Sequence, residues 1–376
     1  MMSRGQKTPP IFLNRMILKK IDVYILKKFL GTFFFAILLI LSISVVFDLA
    51  EKIDDFFETD APVNAIIFDY YFNFIPYFAN LFTPLFVFIA VIFFTSKMAY
   101  DTEIIAILSS GVSFKRLLYP YFLGAAILTV FSYVMGGYII PPSNKVRIEF
   151  ENVYVKEIKE TGMSNIHMQI EPGLFIYMRR YSSYRERGDD FSLEKIEGKE
   201  LKLKITAEKV KYDSIDNKWI FEDYIRRDFS ENGRMVISKG EEMDTVVNMK
   251  PADFKEERNF FETMTNPELE NYIDEQTIRG VGNIEPYLIE KHRRIASPFS
   301  AFILTLIGVS LASRKTRGGM GLHIGVGIAL SFSYILFMTI STTFAINGNW
   351  SPVMATWLPN FVFLAIGVLL YFRAPK

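Results

Sequence analysis

The sequence predicts a membrane α-helical protein with six transmembrane helices, grouped three and three, and an inserted extracytoplasmic all-β domain that is jelly-roll-like. Six long stretches are almost free of charged residues, and a bilayer core takes about 20 apolar residues in a helix. Between the third and fourth stretches lies a long segment rich in Lys, Arg, Asp and Glu. The composition, 50% hydrophobic, is therefore the mean of a membrane part and a water-exposed part.

The apolar stretches define six predicted spans: 29–47, 70–96, 117–142, 287–313, 318–347 and 350–372. The first span follows a basic N-terminus but leads into Asp48 and Glu51, without a small-residue cleavage site. We therefore interpret it as a retained span and not as a signal peptide. The second span contains Pro76 and Pro84, where we expect a kink.

The basic residues of the short flanks predict the direction of the spans, because Lys and Arg concentrate on the cytoplasmic side. One side carries Arg4, Lys7, Arg15, Lys19, Lys20, Lys27, Lys28, Lys97, Lys115, Arg116, Arg314, Lys315, Arg317, Arg373 and Lys376. The short connections on the other side carry only Lys52. The sequence therefore predicts a bacterial inner-membrane protein whose termini are cytoplasmic and whose polar insert is periplasmic.

The inserted segment has the pattern of strands. Leu201, Leu203 and Ile205 alternate with polar residues, which is the period of a strand with one buried face. Short strands separated by turn signals indicate a β-sandwich or jelly roll. Three parts are therefore predicted: 1–142 with the first three spans, 143–265 as the β domain, and 266–376 with a linking helix and the last three spans.

The linking helix has clear start signals. Asn266 is a favourable N-cap, and Pro267 suits the first helical position. Glu268 and Glu270 then lie near the positive end of the helix dipole. We expect this helix to connect the β domain to the fourth span.

Residue types that carry catalysis or bind metals are scarce. Cysteine is absent, and the three histidines His167, His292 and His323 show no paired spacing, so no metal site is predicted. Gly198-Lys199 is followed by an acidic residue and does not fit a phosphate-binding loop. The net charge of +1 gives no argument for nucleic acid. We expect a non-catalytic chain without cofactors.

A short amphipathic helix is predicted at about 101–110, on the cytoplasmic side between the second and third spans. It is either an interfacial helix or a coupling helix that docks in a groove of an ATPase subunit. An interfacial helix should carry Lys or Arg on its polar face, whereas this one carries acidic residues. The coupling interpretation assigns the ATPase contact to Asp101, Glu103, Ile104 and Leu108.

Two arginines, Arg293 and Arg294, lie about two turns inside the outer end of the fourth span. They snorkel to ordinary headgroups or pair with Glu290, or else they clamp the phosphate of a lipid ligand, since a guanidinium suits bidentate phosphate contacts. Lys52, beyond the first span, is a further phosphate-contact candidate, with a solvated face as the alternative.

The fifth span is rich in small residues. Gly321 and Gly325 have the spacing that lets two helices approach closely. Structural packing is the default interpretation of this spacing, and a movable gate seam is the functional one.

The order and spacing of these features resemble the LptF/LptG permease family of the lipopolysaccharide transport machine. The resemblance covers nearly the whole chain, and no single motif in it is diagnostic. The segments that carry it are 22–30, 102–113, 266–269, 290–299 and 317–319.

The resemblance implies a permease subunit of an ABC transporter that extracts lipopolysaccharide from the outer leaflet of the inner membrane. The implied partners are a paralogous permease subunit in a heterodimer, a cytoplasmic ATPase dimer of LptB type, a single-span LptC-type protein and a periplasmic LptA-type bridge. Glu103 matches the acidic position that meets the ATPase. A lateral gate is implied at spans one and five. Some members have basic residues at the outer end of span one, where this chain is mainly acidic.

Other functions remain open at this stage. A mechanotransmitting ABC permease usually has its soluble insert after span one, whereas here the insert follows span three. An integral membrane enzyme acting on lipids or glycans would need a cluster of catalytic carboxylates or histidines in its spans, and the sequence contains none. A sensor would need a cytoplasmic signalling domain, which the sequence does not contain.

Overall fold

The computed structural model describes residues 18–155, 164–182, 185–214, 216–229, 234–249, 251–254, 260–279, 284–314, 319–347 and 350–374. Among them, six helical segments are long and apolar enough to cross a membrane: Lys20–Glu58, Val63–Tyr100, Phe114–Tyr154, Glu285–Ala312, Gly321–Ile346 and Pro352–Arg373. An antiparallel six-stranded sheet is inserted between the third and the fourth. The predicted arrangement of three and three spans around an all-β insert is confirmed.

The first span is the single helix α1 (Lys20–Glu58). Its buried side chains recur every four residues, so they lie on one face of the helix. These are Ile25, Phe29, Phe33, Ile37 and Leu41. That face packs on the second and third spans, while the opposite face is exposed over its whole length.

The second and third spans each contain a π-helical turn. The second comprises α2 (Val63–Ala65), a π segment (Ile66–Tyr71) and α3 (Phe72–Tyr100), which continues through both of its prolines. The short helix α4 (Glu103–Ser109) follows. The third comprises α5 (Phe114–Val134), a π segment (Met135–Ile139) and α6 (Ile140–Tyr154).

The expectation of strands from residue 143 is corrected by α6. The helix continues to Tyr154, and the first strand begins only at Ser164. Pro141 is tolerated because it lies in the first turn of α6, where no intrahelical N–H bond is needed. The polar residues beyond it form an amphipathic helix that buries Asn144 and Phe150. A span predicted from hydropathy stops where the apolar residues stop, at the edge of the bilayer. A helix that continues from there into water is not detected.

The inserted domain is an antiparallel meander in which each strand pairs with the next along the chain. The strands are β1 (Ser164–Glu171), β2 (Leu174–Ser182), β3 (Arg187–Glu197), β4 (Glu200–Asp213), β5 (Lys218–Phe229) and β6 (Met235–Thr245). Across the sheet Ile176 faces Leu193, which faces Ile205, so one face builds the core. Met249 and Phe254, which follow β6, also belong to this core.

The chain returns to the membrane through two 3₁₀ turns, Pro251–Phe254 and Phe260–Thr263. The helices that follow are α7 (Asn266–Arg279), α8 (Glu285–Ala312), α9 (Gly319–Ile346) and α10 (Pro352–Arg373). Helix α8 is the centre of the bundle and contacts α3, α5, α9 and α10.

The N-cap of α7 is Thr265, one residue before the predicted Asn266. The Leu269 N–H donates to Thr265 O at 2.8 Å, and the Thr265 N–H donates to the Glu268 carboxylate at 2.8 Å. The bond between Glu268 and the N-cap N–H is one half of a capping box. The Asn266 side chain instead accepts a hydrogen bond from Arg294 at 3.1 Å, so a tertiary contact competes with its capping preference.

Candidate coupling and lipid-contact sites

Two sharp turns define the position of α4 between the second and third spans. Thr102 lies in the left-handed region (φ 63°), which is unfavourable for a β-branched side chain, and its hydroxyl donates to Asp101 O at 2.7 Å. At the other end Gly111 has φ 87°, and Ser113 then caps α5 through the Arg116 N–H. The reversals place α4 across the end of the bundle as a separate, exposed element.

The residues predicted to contact an ATPase do not share one face of α4. Asp101 is exposed, but Ile104 is 1% exposed and packs into the core of the chain's own helix bundle. Leu108 is partly buried against the same core. The large apolar side chain that α4 exposes is Ile105, at 50% exposure, which is not among the residues predicted to contact the ATPase. A helix of seven residues has too few turns for its periodicity to identify the outer face.

Glu103, the acidic residue of α4 itself, contacts the first span. The hydroxyl of Tyr24 in α1 lies 3.2 Å and 3.4 Å from the two oxygens of its carboxylate. A second contact nearby joins the same two regions: Arg116 in α5 makes a two-pronged ion pair with Asp22 in α1, at 2.7 Å and 2.6 Å. No local pattern in the sequence indicates that Asp22 and Arg116 pair, because they are separated by 94 residues.

Arg294 is buried in the protein and does not face lipid. Its side chain is 4% exposed, and each of its three nitrogens donates a hydrogen bond within the chain. Nε donates to Glu290 at 2.8 Å, Nη1 to Met264 O at 2.7 Å, and Nη2 to Phe261 O at 2.9 Å. The guanidinium thus fastens the segment leaving the β domain onto α8. The pairing with Glu290 that one interpretation predicted is present in the chain, and the phosphate contact of the other stays a prediction.

Arg293 remains accessible. Its side chain is 42% exposed and pairs with Glu290 at 2.6 Å. It borders a cavity of about 120 Å³ that Tyr77, Asn144 and Glu262 also line. Glu262 lies 3.9 Å from the guanidinium. Burial, and then the nearby Glu290 carboxylate, raise the pKa of the Glu262 carboxyl above its ordinary value.

Lys52 is engaged in a partly buried network at the outer end of α1. Its ammonium group lies 3.1 Å from Asp48 and 3.6 Å from Glu151, and it donates to the hydroxyl of Tyr70. The Lys52 side chain is 18% exposed. The Lys52 ammonium has three N–H donors, and oxygens of Asp48, Glu151 and Tyr70 already surround them. The ammonium is therefore poorly placed to contact a lipid phosphate.

The predicted glycine seam of α9 faces outward within this chain. A side chain at Gly321 or Gly325 would meet nothing within 4 Å. The close approach occurs instead at Gly327, where a Cβ atom would meet the side chain of Ile92 in α3. Gly321 and Gly325 therefore do not pack helices of this chain together, and they are available to another chain.

Among the residues that the structure describes, no group of three or more His, Asp or Glu side chains could hold a metal ion. His323 of α9 is buried, with its Nδ1 3.1 Å from the hydroxyl of Ser96. This contact joins α9 to α3 through neighbouring polar groups.

A comparison with protein families identifies the chain's relatives. The family described as lipopolysaccharide export system permease LptF/LptG matches residues 23–373, which is nearly the whole chain. None of the curated proteins compared matches it. The match includes all six spans, α4 and the inserted sheet, in the order that the family resemblance implied. The chain therefore belongs to the LptF/LptG family of lipopolysaccharide export permeases.

Proposed function

We propose that this chain is one permease half of an ATP-driven complex that extracts lipopolysaccharide from the outer leaflet of the inner membrane. The chain itself is non-catalytic, and a cytoplasmic ATPase dimer of LptB type hydrolyses ATP. A paralogous permease forms the second half, with a lipid cavity between the two. An LptC-type single-span protein and an LptA-type bridge receive the lipid at the periplasmic β domain, and the lipid serves outer membrane biogenesis.

The observation that carries this proposal is the construction of α4. The helix lies between two spans, is anchored by Ile104 and presents Ile105 to solvent, and Asp101 is exposed in the turn that precedes it. An exposed apolar side chain on a helix, next to an exposed acidic residue, suits a groove of complementary charge in a partner. The basic flanks of the spans favour the cytoplasm on this side of the membrane.

The family and the six apolar helices make the chain a multi-pass inner-membrane protein of lipopolysaccharide export. Lifting such a lipid exposes its acyl chains unless another surface covers them. Each methylene that leaves an apolar environment costs about 0.8 kcal/mol, so a dozen of them cost about 10 kcal/mol. A cost of this size favours a mechanism that combines ATP hydrolysis with an apolar receiving surface in the β domain.

Arg293 is the residue we propose for contact with lipid phosphate. It is the more exposed of the two arginines of α8, and its Glu290 partner leaves part of the guanidinium available. Arg294 and Lys52, predicted for the same role, are occupied by the contacts described above, so we assign them to the framework of the site.

The test of the proposal is a charge reversal at Glu103. The tagged full chain is expressed with the other components, and the co-purified ATPase and lipid are measured. We expect Glu103→Arg to lower ATPase recovery by about tenfold or more, because like charges at an interface are costly. Lipopolysaccharide should be the lipid recovered with the unmodified complex.

Two control variants separate interface loss from local damage. Tyr24→Phe removes only the hydroxyl that contacts Glu103, and Glu58→Arg reverses an exposed acidic residue at the far end of α1. Both should retain ATPase recovery near that of the unmodified chain. Normal recovery with Glu103→Arg, or recovery of phospholipid alone, would contradict the proposal.

A further inference from the structure

We propose that spans one and three form one lever, fastened by an ion pair at each end, which carries movement of α4 across the membrane. The cytoplasmic fastening is Asp22–Arg116, and the outer one is Lys52–Glu151. The inference rests on the proposed function, because it assumes that an ATPase moves α4. It assigns Asp22, Arg116, Lys52 and Glu151 as positioning residues.

The cytoplasmic fastening has the geometry of a strong, directional contact. Both terminal nitrogens of Arg116 donate to the Asp22 carboxylate, at 2.7 Å and 2.6 Å, and the Lys19 N–H donates to it at 2.8 Å. A guanidinium that donates two parallel hydrogen bonds to one carboxylate fixes the relative orientation of the two side chains as well as their distance. Asp22 is only 1% exposed, so removal of Arg116 would leave a buried carboxylate without its charge partner.

This fastening lies next to the coupling element. Arg116 is three residues beyond Ser113, the cap that ends the turn after α4, and Tyr24 contacts Glu103 of α4 itself. The first turns of α1 are therefore attached both to α4 and to the helix that follows it. A displacement of α4 that pulls on α5 must also pull on α1, unless these contacts break.

The outer fastening joins the same two spans at the opposite end. Lys52 of α1 lies 3.6 Å from Glu151 of α6, and Glu151 is itself held by Arg147 at 3.1 Å. All three side chains are 18% exposed or less, so solvent screens these contacts little. Arg116 and Glu151 belong to one continuous span, and 35 residues at about 1.5 Å each separate them by about 50 Å.

Between the two fastenings, contacts of α1 with the third span are apolar. The Phe29 ring lies 6.2 Å from that of Tyr121, and Gly124 provides the space for Phe29. Apolar packing holds helices together in lipid but gives little resistance to sliding, whereas polar pairs join them at defined positions. The far face of α1 is exposed, with Phe35 at 70% and Phe47 at 72%, so the lever can move relative to lipid or a partner chain.

A covalent replacement of the ion pair tests the lever, and because this chain has no cysteine, only the introduced residues can be cross-linked within it. Asp22→Cys and Arg116→Cys are made singly and together in the complete complex, and a short bismaleimide joins the double variant. We expect each single variant to lower ATP-driven lipid release by about tenfold while ATPase recovery is retained. The cross-linked double variant should regain at least half of the release.

Two further variants keep the test decisive if a cysteine variant fails to fold. The exchange Asp22→Arg with Arg116→Asp restores the pair in reverse and should recover release, while Arg116→Lys keeps the charge without the fork and should recover it only in part. Full release with unlinked Asp22→Cys, or no recovery with either the cross-link or the exchange, overturns the lever.

The outcomes also separate this inference from the proposed function. If the unmodified chain binds no ATPase, the proposed function fails. If ATPase binding and release are normal but the pair variants leave release unchanged, only the lever fails. Lys52→Met, which removes the outer fastening, should lower release by about tenfold without lowering ATPase recovery. Unchanged release with this variant would exclude the outer fastening from the lever.

Discussion

Arg294 and Glu290 form a buried ion pair one turn apart in α8, with 2.8 Å between Nε and Oε1. The same guanidinium holds two backbone carbonyls of the segment that leaves the β domain. The pair therefore links the central membrane helix to the extramembrane domain, and its loss should disturb the fold before it disturbs lipid binding.

Arg294→Gln should destabilise the purified chain by about 3 kcal/mol, because a buried carboxylate loses a partner and two carbonyls lose a donor. Arg293→Gln should cost about 1 kcal/mol or less, because its side chain is partly exposed, and it should reduce bound lipopolysaccharide. Thermal unfolding in detergent and lipid quantification measure the two effects. Equal stability of the two variants would contradict the assignment of Arg294 to the framework.

Glu262 should make the stability of the chain depend on pH. Its pKa is raised by burial and by Glu290, with Arg293, Arg147 and Arg294 opposing the shift. At a pH above the raised pKa, the Glu262 carboxylate is ionised and buried, and it destabilises the folded state in full. As the pH falls through this pKa, the folded state takes up a proton before the unfolded state does. The stability of the fold therefore rises. Glu262→Gln should therefore melt at a higher temperature than the unmodified chain at about pH 7, and the difference should close at about pH 4.

Glu268 provides a control of opposite sign. Hydrogen bonds from Thr265 hold the pKa of the Glu268 carboxyl below its ordinary value, so its ionised form stabilises the fold. That stabilisation is present at a pH above the ordinary pKa of a Glu carboxyl, and it is lost as the pH falls through the lowered pKa of Glu268. Glu268→Gln should therefore lower the melting temperature at about pH 7. If Glu262→Gln and Glu268→Gln shifted the melting temperature in the same direction at about pH 7, this explanation would be refuted.

Trp219 should be the most sensitive position of the β domain. It is 1% exposed, its ring packs against Tyr181 and Phe254, and its indole N–H donates to Met249 O at 3.0 Å. Trp219→Ala should destabilise this domain by about 4 kcal/mol, while Trp219→Phe keeps most of the packing and should cost less. The measurement is the rate of proteolysis within residues 164–254. Val236→Thr, on the exposed strand β6, should change it little.

Two glycines of α9 should behave differently. Gly327→Val places a side chain against Ile92 of α3 and should destabilise the isolated chain by about 2 kcal/mol through overpacking. Gly325→Val meets nothing in this chain and should leave its melting temperature unchanged. If the outward seam packs against the second permease, Gly325→Val should weaken the co-purification of that subunit. Normal assembly with Gly325→Val would remove Gly325 from the subunit interface.

The position of every span, and the bounds of the fourth and the sixth, could be predicted from local sequence because lipid imposes a local rule. Residues 287–313 and 350–372 were predicted, and Glu285–Ala312 and Pro352–Arg373 are observed. Every backbone group in hydrocarbon must bond within its own segment, so an uncharged run of sufficient length becomes a helix. No comparable rule applies outside the bilayer, which is why α6 was not anticipated.

The contacts that the candidate site residues make within the chain could not all be predicted, because residue type does not determine what a side chain contacts. Arg294 and Lys52 have the chemistry of phosphate ligands, but Glu290 and Glu151 neutralise them within the chain. The sequence offered pairing with Glu290 as an alternative because the two residues are four apart in a helix. It offered no signal for Glu151, which lies 99 residues from Lys52 and meets it only when two spans pack.

The sequence by itself determined the number of spans, the position of the β insert between the third and fourth, and the presence of α4. These follow from apolar length and from the period of side chains along one element. Only the tertiary structure decided that Ile105 and not Ile104 faces solvent, and that Asp22 and Arg116 join span one to span three. Contacts between distant segments depend on how each helix is rotated about its axis relative to its neighbours. That rotation is determined by the packing of all the helices together and not by the residues of one segment.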